Sequence, residues 1–342
     1  MAVGRCYGEG GCGDGEPCAG GAVGVGRVGD AVFLHGGLLP GALEGGEVGL
    51  GGVGHVGWPG FGVALAHGGA VMLGALGERI GAGMSADVHG WAPGRVVKLF
   101  KVGMPRRVVW HEARMTRVAF EAGLPAPEVF GEVEVEGRFG IVLARLEGPT
   151  LLELSRSGAM SAGEVGGVLA GLAMAVHATV PPVEVISLRD WMEHSLRAAG
   201  ERVPAHIGAG IVGLIERMGP GEGWCHGDLH PGNVIMTAEG PRLVDWLGAV
   251  RAPGVLDLAI CHVLLFEHTP GQVDDPERPR AYHAVLEAEY ARLGGISLAA
   301  LRGAVEGYLP VAGVLGLLGG WADAEERARF IGRVEAALGM GG

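Results

Sequence analysis

Residues 225–236 read CHGDLHPGNVIM, a stretch that combines a cysteine, two histidines, an aspartate and an asparagine with glycine and proline. Three interpretations compete: a polar surface turn, a metal site and the catalytic loop of an enzyme. Each interpretation requires different residues elsewhere in the chain. The stretch therefore has to be interpreted together with the segments before and after it.

A β-hairpin is predicted directly after this stretch. Two short apolar runs, Val234–Met236 and Leu243–Val244, flank the turn-like sequence TAEGP. A hairpin brings its outer ends together, which places Asn233 near Asp245, and Asp228 precedes Asn233 by five residues. Amide and carboxylate oxygens suit Mg²⁺, and a further carboxylate can orient a hydroxyl nucleophile or accept its proton. These are the parts of a phosphoryl-transfer site.

Such a site needs a place for a nucleoside triphosphate, and the strand-rich part of the chain before residue 148 offers one. A turn of small residues between two predicted strands lets backbone amides approach phosphate oxygens without obstruction by a Cβ atom. The candidate contacts of this turn are Gly81, Gly83, Ser85 and Val88. Lys98, on the next strand, is placed to neutralise the α- and β-phosphates. Glu112, on the helix that follows, is a candidate ion-pair partner for Lys98.

The order of the predicted elements divides the chain into three parts. Residues 72–148 combine strands with one helix and are assigned to a nucleotide-binding lobe. Residues 149–342 are predicted to be mostly helical and are assigned to a catalytic and substrate-binding lobe. Residues 1–71 form a separate segment, and the predicted fold class is α+β.

The first segment differs in composition from the rest of the chain. Residues 1–70 contain 25 of the 67 glycines, and so much glycine raises the entropy cost of ordering the backbone while supplying little side chain to bury. Residues 1–71 are therefore interpreted as a disordered extension or as a mis-assigned start upstream of Met72. A small glycine-rich domain is the alternative. A membrane span in the uncharged stretch 48–77 is disfavoured by its histidines, proline and glycines.

Charge and cysteine usage narrow the class of partner and the compartment. The formal net charge of -12 argues against nucleic-acid binding, which needs Lys and Arg to neutralise phosphates. It is compatible with a cationic small molecule. Five cysteines without a CxxC pair do not resemble a disulfide framework, and no signal peptide is evident. A cytoplasmic protein without a membrane partner is expected.

The motif HGDLHPGN at 226–233 resembles the catalytic loop of the aminoglycoside phosphotransferase and choline kinase superfamily, small-molecule relatives of protein kinases. LVDW at 243–246 is similar to the metal-binding strand end of that family. The segments GLPAPEVFGE, LEGPTL and GVLDLA are also similar, so the resemblance covers residues 78–340. It implies a two-lobed protein-kinase-like fold, with a small N-terminal antiparallel sheet lobe that carries one helix and a larger, mostly helical C-terminal lobe.

The resemblance also implies roles for individual residues. Asp228 takes the part of the catalytic aspartate, while Asn233 and Asp245 bind Mg²⁺. Lys98 and Glu112 form the ion pair of the nucleotide-binding lobe. ATP, or GTP in its place, is the expected phosphate donor.

Departures from protein kinases indicate a small acceptor. HGD replaces HRD, which removes the arginine that responds to activation-loop phosphorylation, and Ala86 stands where a third glycine of the nucleotide turn is expected. Only eleven residues separate Asp245 from Asp257, which leaves no room for a peptide-docking platform. Asp257 itself is expected to anchor the catalytic loop. The expected reaction moves the γ-phosphate to a hydroxyl of an aminoglycoside-like molecule or another amino alcohol.

Two alternative functions stay open at this point. His226, Asp228 and His230 form an H-x-D-x-H pattern that suits a metallohydrolase, although such sites need further ligands and the pattern leaves Lys98 and Glu112 unexplained. Otherwise the two histidines are expected to support the loop. A nucleotide-binding pseudokinase is the second alternative, against which the complete set of catalytic residues counts. Four acidic residues are either a rim for an aminated acceptor or part of a solvated loop: Glu267, Asp274, Asp275 and Glu277.

Overall fold

The computed structural model describes residues 61–66, 71–219, 221–268, 275–319 and 322–340. Most of the glycine-rich segment 1–71 lies outside this part of the chain, as does Asp274. Within it, a lobe built on an antiparallel sheet is followed by a mostly helical lobe. The predicted α+β fold with two lobes is therefore confirmed.

The N-terminal lobe contains a seven-stranded antiparallel sheet within the described residues, with strand order β2-β1-β6-β7-β5-β4-β3. Its strands are β1 (Phe61–Ala66), β2 (Val71–Ala75), β3 (Arg79–Ala82), β4 (Ala86–Ala92), β5 (Arg95–Phe100), β6 (Val129–Val135) and β7 (Arg138–Ala144), and its helix is α1 (Arg106–Glu121). β1 falls inside the glycine-rich segment and pairs with β2 and β6. The sheet therefore begins upstream of residue 72.

Alternation along the central strand β5 explains how this lobe is packed. Val97 and Leu99 point into an apolar cluster on one face of the sheet, whereas Phe100 packs with Val109 and Ala113 of α1 on the other face. Successive residues of a strand face opposite sides, so Lys98 lies on the face that α1 covers. The alternation along β5 therefore places the Lys98 side chain between the sheet and α1.

The C-terminal lobe contains eight α-helices within the described residues. They are α2 (Leu151–Ser157), α3 (Ala162–His177), α4 (Leu188–Ala199), α5 (Ala205–Met218), α6 (Val255–Val263), α7 (Glu277–Gly294), α8 (Leu298–Gly319) and α9 (Ala324–Ala337). A capping box is present at the start of α3, since Ser161 and Glu164 satisfy each other's backbone amides. Residues Leu298–Leu318 are long and apolar enough to cross a membrane, but half of that stretch is buried. Because Leu301, Val311 and Val314 lie in the core of the lobe, α8 acts as a core helix here.

Four short strands interrupt the helices and frame the quoted stretch. They are β8 (Trp224–Cys225), β9 (Val234–Thr237), β10 (Gly240–Leu243) and β11 (Val250–Arg251). β9 and β10 pair with Val234 opposite Leu243, which confirms the predicted hairpin. β8 pairs with β11, so the catalytic-loop candidate at 226–233 is held between two small antiparallel ladders.

Candidate active site

The β9–β10 hairpin brings Asn233 and Asp245 to the same end of the ladder. The amide of Val244 donates to the carbonyl of Asn233 over 2.9 Å, which extends the pairing beyond the strands. Asp245 then adopts a left-handed backbone, with φ 69° and ψ 65°. This conformation costs a non-glycine residue about 1–3 kcal/mol and is characteristic of functional sites. The turn aims Asp245 at the N-terminal lobe.

Asn233 connects the catalytic-loop candidate to this hairpin. Its Nδ2 donates to both the carbonyl and the Oδ2 of Asp228, each over 2.9 Å. Its Oδ1 is buried and accepts no hydrogen bond within the described residues. A buried amide oxygen without a donor is costly for a protein, whereas it is a suitable ligand for a hard cation. The side-chain oxygens of Asn233 and Asp245 are therefore suitable ligands for Mg²⁺.

A buried ion cluster joins the two lobes at Lys98. Its ammonium lies 2.6 Å from Glu112 Oε1 and 2.9 Å from Asp245 Oδ2. Glu112 belongs to the inward-facing stripe of α1, and Lys98 lies on the sheet face beneath that helix. Burial acts to lower the pKa of Lys98, but the charges of Asp245 and Glu112 outweigh it and hold that pKa above its usual value. Lys98 is therefore a permanent cation between two carboxylates.

Asp257 holds the start of the catalytic-loop candidate. The fully buried carboxylate accepts the backbone amides of His226 over 2.8 Å and Gly227 over 2.7 Å. Burial favours the neutral acid, but the hydrogen bond from His177 and the other donors outweigh it and lower the pKa of Asp257. The predicted anchoring role of Asp257 is confirmed by these contacts.

The two histidines of the loop support its backbone. His226 Nδ1 accepts the amide of Asp228 over 3.2 Å, and Nε2 lies 3.1 Å from the carbonyl of Val244, to which it donates. Burial lowers the pKa of His226 and keeps the ring neutral. His230 Nδ1 accepts the amide of Gly232 over 3.0 Å. Because both ring nitrogens of His226 are engaged with backbone, the H-x-D-x-H pattern does not form a metallohydrolase ligand set.

A cavity of about 520 Å³ lies between the lobes next to the ion cluster. Its lining includes five of the residues predicted to contact a nucleotide, together with one predicted metal ligand: Gly81, Gly83, Val88, Lys98, Glu112 and Asp245. Ser85 is not part of this lining, and its carbonyl instead accepts the amide of Lys101 over 2.8 Å. Asp228 and Asn233 do not line the cavity either. Both residues belong to the catalytic-loop candidate, which lies beside Asp245, and Asp245 does line the cavity.

The linker between the lobes also lines this cavity, and sequence reasoning did not assign it to the site. It comprises residues 144–148 and continues to Thr150. Gly148 has φ 150°, and a Cβ atom there would lie 2.0 Å from the carbonyl oxygen of Met236. The amide of Met236 donates to the carbonyl of Pro149 over 2.9 Å. The Gly-Pro pair in LEGPTL was the available signal for this close approach of linker and hairpin.

The acidic residues considered as a rim for an aminated acceptor are largely paired with arginine. Glu267 lies 2.6 Å from Arg333 Nη1, and Glu277 lies 2.7 Å from Arg280 Nη1. Asp275 is 3.5 Å from Arg278 Nε. Asp275 and Glu277 are exposed and locally neutralised, which supports the interpretation of this segment as a solvated loop, whereas the Glu267 side chain is mostly buried against Arg333.

Gly227 is expected to be intolerant of any side chain. It has φ +81°, and a Cβ atom there would lie 2.0 Å from the carbonyl oxygen of Gly248. Gly158 has a similar φ of +74° with nothing near its Cβ position, so Gly158→Ala is the matched control. We expect Gly227→Ala to lower the free energy of unfolding by about 3 kcal/mol and Gly158→Ala by about 1 kcal/mol, measured by urea denaturation. Equal losses would contradict the close approach at Gly227.

A model of the phosphotransferase enzyme family matches residues 78–296. No curated protein sequence matches the chain.

Solved structures resemble the fold at low sequence identity. A choline kinase from Cryptosporidium parvum Iowa II is 12% identical with a TM-score of 0.50, and the match covers 77% of this chain and 88% of that one. A putative fructosamine-3-kinase from Haemophilus somnus 129PT is 11% identical with a TM-score of 0.50, covering 79% and 93%. An aminoglycoside phosphotransferase from Streptomyces rimosus, solved with ADP and streptomycin, is 22% identical with a TM-score of 0.44, covering 68% and 90%. The first two likenesses support the kinase-like fold.

Proposed function

The chain belongs to the phosphotransferase enzyme family, and we propose that it transfers the γ-phosphate of ATP to a hydroxyl group of a small molecule. The observation that carries this proposal is the convergence of Lys98, Glu112 and Asp245 beside the interlobe cavity. Asp228 reaches the same region through its hydrogen bonds to Asn233. A positive charge, two hard oxygen ligands and a further carboxylate are thereby combined in one site.

The interlobe cavity is the proposed nucleotide site. Its volume of about 520 Å³ suits a small ligand. Apolar side chains of Ile80, Val96 and Leu143 line it and can contact a base, while Lys98 supplies the cation for the phosphates. Gly81 and Gly83 leave room for phosphate oxygens to approach the backbone. ATP is the proposed donor, with GTP as the alternative.

Asn233 Oδ1 and Asp245 are the proposed Mg²⁺ ligands. When bound, Mg²⁺ neutralises phosphate oxygens and orients the transferred group. Lys98 holds Asp245 through a 2.9 Å contact, so the same carboxylate is fixed from the N-terminal lobe. Asn233 uses its remaining atom, Nδ2, to fix Asp228. One asparagine thus sets both the metal site and the catalytic carboxylate.

Asp228 is the proposed group that orients the acceptor hydroxyl and takes its proton. Its backbone amide is fixed by His226, and Asn233 holds Oδ2 from the hairpin side. The carboxylate therefore has a defined direction before any acceptor arrives, which is the condition for positioning a nucleophile. The short connection between Asp245 and Asp257 favours a small acceptor over a peptide.

The acceptor class and the compartment are further parts of the proposal. Two structures that share the fold are named a choline kinase and a putative fructosamine-3-kinase, so amino alcohols and amino sugars are the first classes to test. Both described cysteines, Cys225 and Cys261, are buried free thiols, which is compatible with a reducing cytoplasm.

An acceptor screen tests the proposed function. Purified protein with MgATP is offered aminoglycosides, choline-like alcohols, fructosamines, macrolides and amino-acid alcohols, and nucleotide consumption is measured for each class. Acceptor-dependent consumption of ATP or GTP is expected for at least one class. Tight nucleotide binding without transfer to any acceptor would instead indicate a pseudokinase.

Removal of the side-chain amide of Asn233 is expected to weaken the affinity of the site for Mg²⁺ and also to release Asp228. Asn233→Leu lacks Oδ1, so we expect it to raise the Mg²⁺ concentration for half-maximal turnover by about tenfold or more. Asn233→Asp keeps an oxygen ligand and should lose less. Calorimetric titration of ATP with and without Mg²⁺ provides a measurement independent of turnover.

The control for this series is Thr237→Val at the far end of the adjoining strand, because the Thr237 hydroxyl bonds within the turn, donating to the carbonyl of Gly240 over 2.8 Å and accepting the amide of Glu239 over 3.3 Å. An unchanged Mg²⁺ requirement in Asn233→Leu would rule out Asn233 as a metal ligand. A similar loss in Thr237→Val would show that disruption of the hairpin is the cause.

A further inference from the structure

Two side chains that the proposed mechanism does not use extend the hydrogen bonds of Asp257. His177, the last residue of α3, places Nε2 3.0 Å from Asp257 Oδ2. Its Nδ1 lies 2.8 Å from the hydroxyl of Tyr290 on α7. The rings of His177 and Tyr290 meet edge to face with centroids 5.5 Å apart. A continuous chain of hydrogen bonds therefore runs from α7 through α3 and Asp257 to the catalytic loop.

The chemistry of the chain fixes the direction of each hydrogen bond. The pKa of Asp257 is lowered, so its carboxylate is ionised and His177 Nε2 donates to it. Burial raises the pKa of Tyr290 to about 12, so its hydroxyl keeps a proton that it can donate to Nδ1. With Nδ1 facing the tyrosine hydroxyl and Nε2 donating to the carboxylate, both ring nitrogens of His177 are engaged.

The glycine at position 254 leaves the space that the hydrogen-bonded pair of His177 and Tyr290 occupies. Gly254 lies against both rings, and a Cβ atom there would be 2.3 Å from His177 Nδ1 and 2.6 Å from the Tyr290 oxygen. Gly254 directly precedes α6, which carries Asp257. A side chain at this position would separate the tyrosine from the histidine.

A metal ion is a weaker interpretation of the same residues. Ligand atoms of His177, Cys225 and Asp257 lie within 4.8 Å of one another. However, the Cys225 thiol faces the carbonyls of Ala252 and Pro253 at 3.6 and 3.4 Å. Burial raises the pKa of Cys225, which disfavours the thiolate that a metal needs. Each of these groups already has a hydrogen-bonding partner.

We propose that His177 and Tyr290 are positioning residues for the catalytic loop, acting through Asp257 on the backbone of His226 and Gly227. Asp228 follows these two residues directly, so a shift of their amides displaces the catalytic carboxylate. The hydrogen bonds of Asp257 fix the loop to α6. Those of His177 and Tyr290 in turn connect Asp257 to α3 and α7. The kinetic consequence rests on the proposed function, but the structural consequence does not.

The test uses the full-length protein and four variants. His177→Ala removes the donor to Asp257, and His177→Gln can restore it because a side-chain amide also donates and accepts. Tyr290→Phe removes only the hydroxyl. His206→Ala is the control, since His206 of α5 forms an exposed histidine–carboxylate pair with Glu335 of α9 over 3.2 Å.

Amide hydrogen exchange resolved by residue is the first measurement. We expect His177→Ala to speed exchange at His226 and Gly227, with little change at Ile211 in the core of α5, and His177→Gln to restore protection. Tyr290→Phe should give a smaller effect at the same two amides. Uniformly faster exchange throughout the helical lobe, or no change at His226 and Gly227, would overturn the proposal.

The rate of MgATP hydrolysis by water, used as the simplest acceptor, is the second measurement. Loss of loop position should lower kcat of His177→Ala by about 10²-fold with little change in KM for MgATP, and His177→Gln should recover most of it. Unchanged kcat in His177→Ala, or no recovery in His177→Gln, would contradict a positioning role. Absence of hydrolysis together with no transfer to any acceptor in the screen would refute the proposed function, and the exchange measurement would then decide the positioning proposal alone.

Discussion

Replacement of Asp228 by asparagine is expected to lower kcat by about 10³-fold while leaving the affinity for MgATP nearly unchanged. Asparagine keeps the size of the side chain and can still accept a hydrogen bond from Asn233. It cannot, however, take a proton from the acceptor hydroxyl. Asp228 does not line the interlobe cavity, so nucleotide contacts should persist. Steady-state kinetics and calorimetric titration of MgATP measure the two effects separately.

The matched control for this prediction is Asp275→Asn. Asp275 is an exposed carboxylate that lies 3.5 Å from Arg278 and far in sequence from the loop. Its replacement should change neither kcat nor nucleotide affinity. Full turnover in Asp228→Asn would remove Asp228 from the catalytic role, and a parallel loss of nucleotide affinity would assign it to binding instead.

Replacement of Lys98 by methionine is expected to abolish nucleotide-dependent activity and to destabilise the fold. The change leaves the Glu112 and Asp245 carboxylates buried without the cation that lies 2.6 and 2.9 Å from them. Breaking a buried ion pair by removal of one partner costs about 3–5 kcal/mol. Loss of the cation also removes the charge that faces the phosphates. Urea denaturation and MgATP titration measure the two effects.

Two further variants separate stability from function at this site. Lys98→Met combined with Glu112→Gln removes one of the two buried charges that lose the lysine, so it should recover part of the stability and none of the activity. Lys101→Met is the control, because Lys101 pairs with Asp87 over 2.5 Å but its side chain is 43% exposed. It should cost about 1 kcal/mol or less. Equal destabilisation in Lys98→Met and Lys101→Met would contradict a buried ion cluster.

Local sequence patterns were sufficient to predict the elements that carry the site. Two apolar runs around TAEGP predicted the β9–β10 hairpin and hence the nearness of Asn233 to Asp245. Alternation along β5 and the helical stripe of α1 place Lys98 and Glu112 face to face, as the sequence predicted. These inferences succeed because a strand has period two, a helix has period 3.6, and both periods can be read directly.

Contacts between distant segments could not be predicted in the same way. The contact between Lys98 and Asp245 spans 147 residues and depends on how the two lobes meet. The approach of Gly148 to Met236 and the chain through His177 and Tyr290 also join elements far apart in sequence. Periodicity describes one element at a time, so it does not report which elements pack together. Each of these contacts lines the cavity or supports the catalytic loop.

We expect this protein to move a phosphate from ATP to a small-molecule hydroxyl through Asp228. Phosphorus NMR of reaction mixtures from the acceptor screen tests it most directly, because a phosphate monoester is distinguished from inorganic phosphate. The wild-type protein should form a phosphate monoester with equimolar ADP for at least one acceptor, and Asp228→Asn should form almost none. Release of inorganic phosphate alone with every acceptor, or equal ester formation by Asp228→Asn, would contradict the claim.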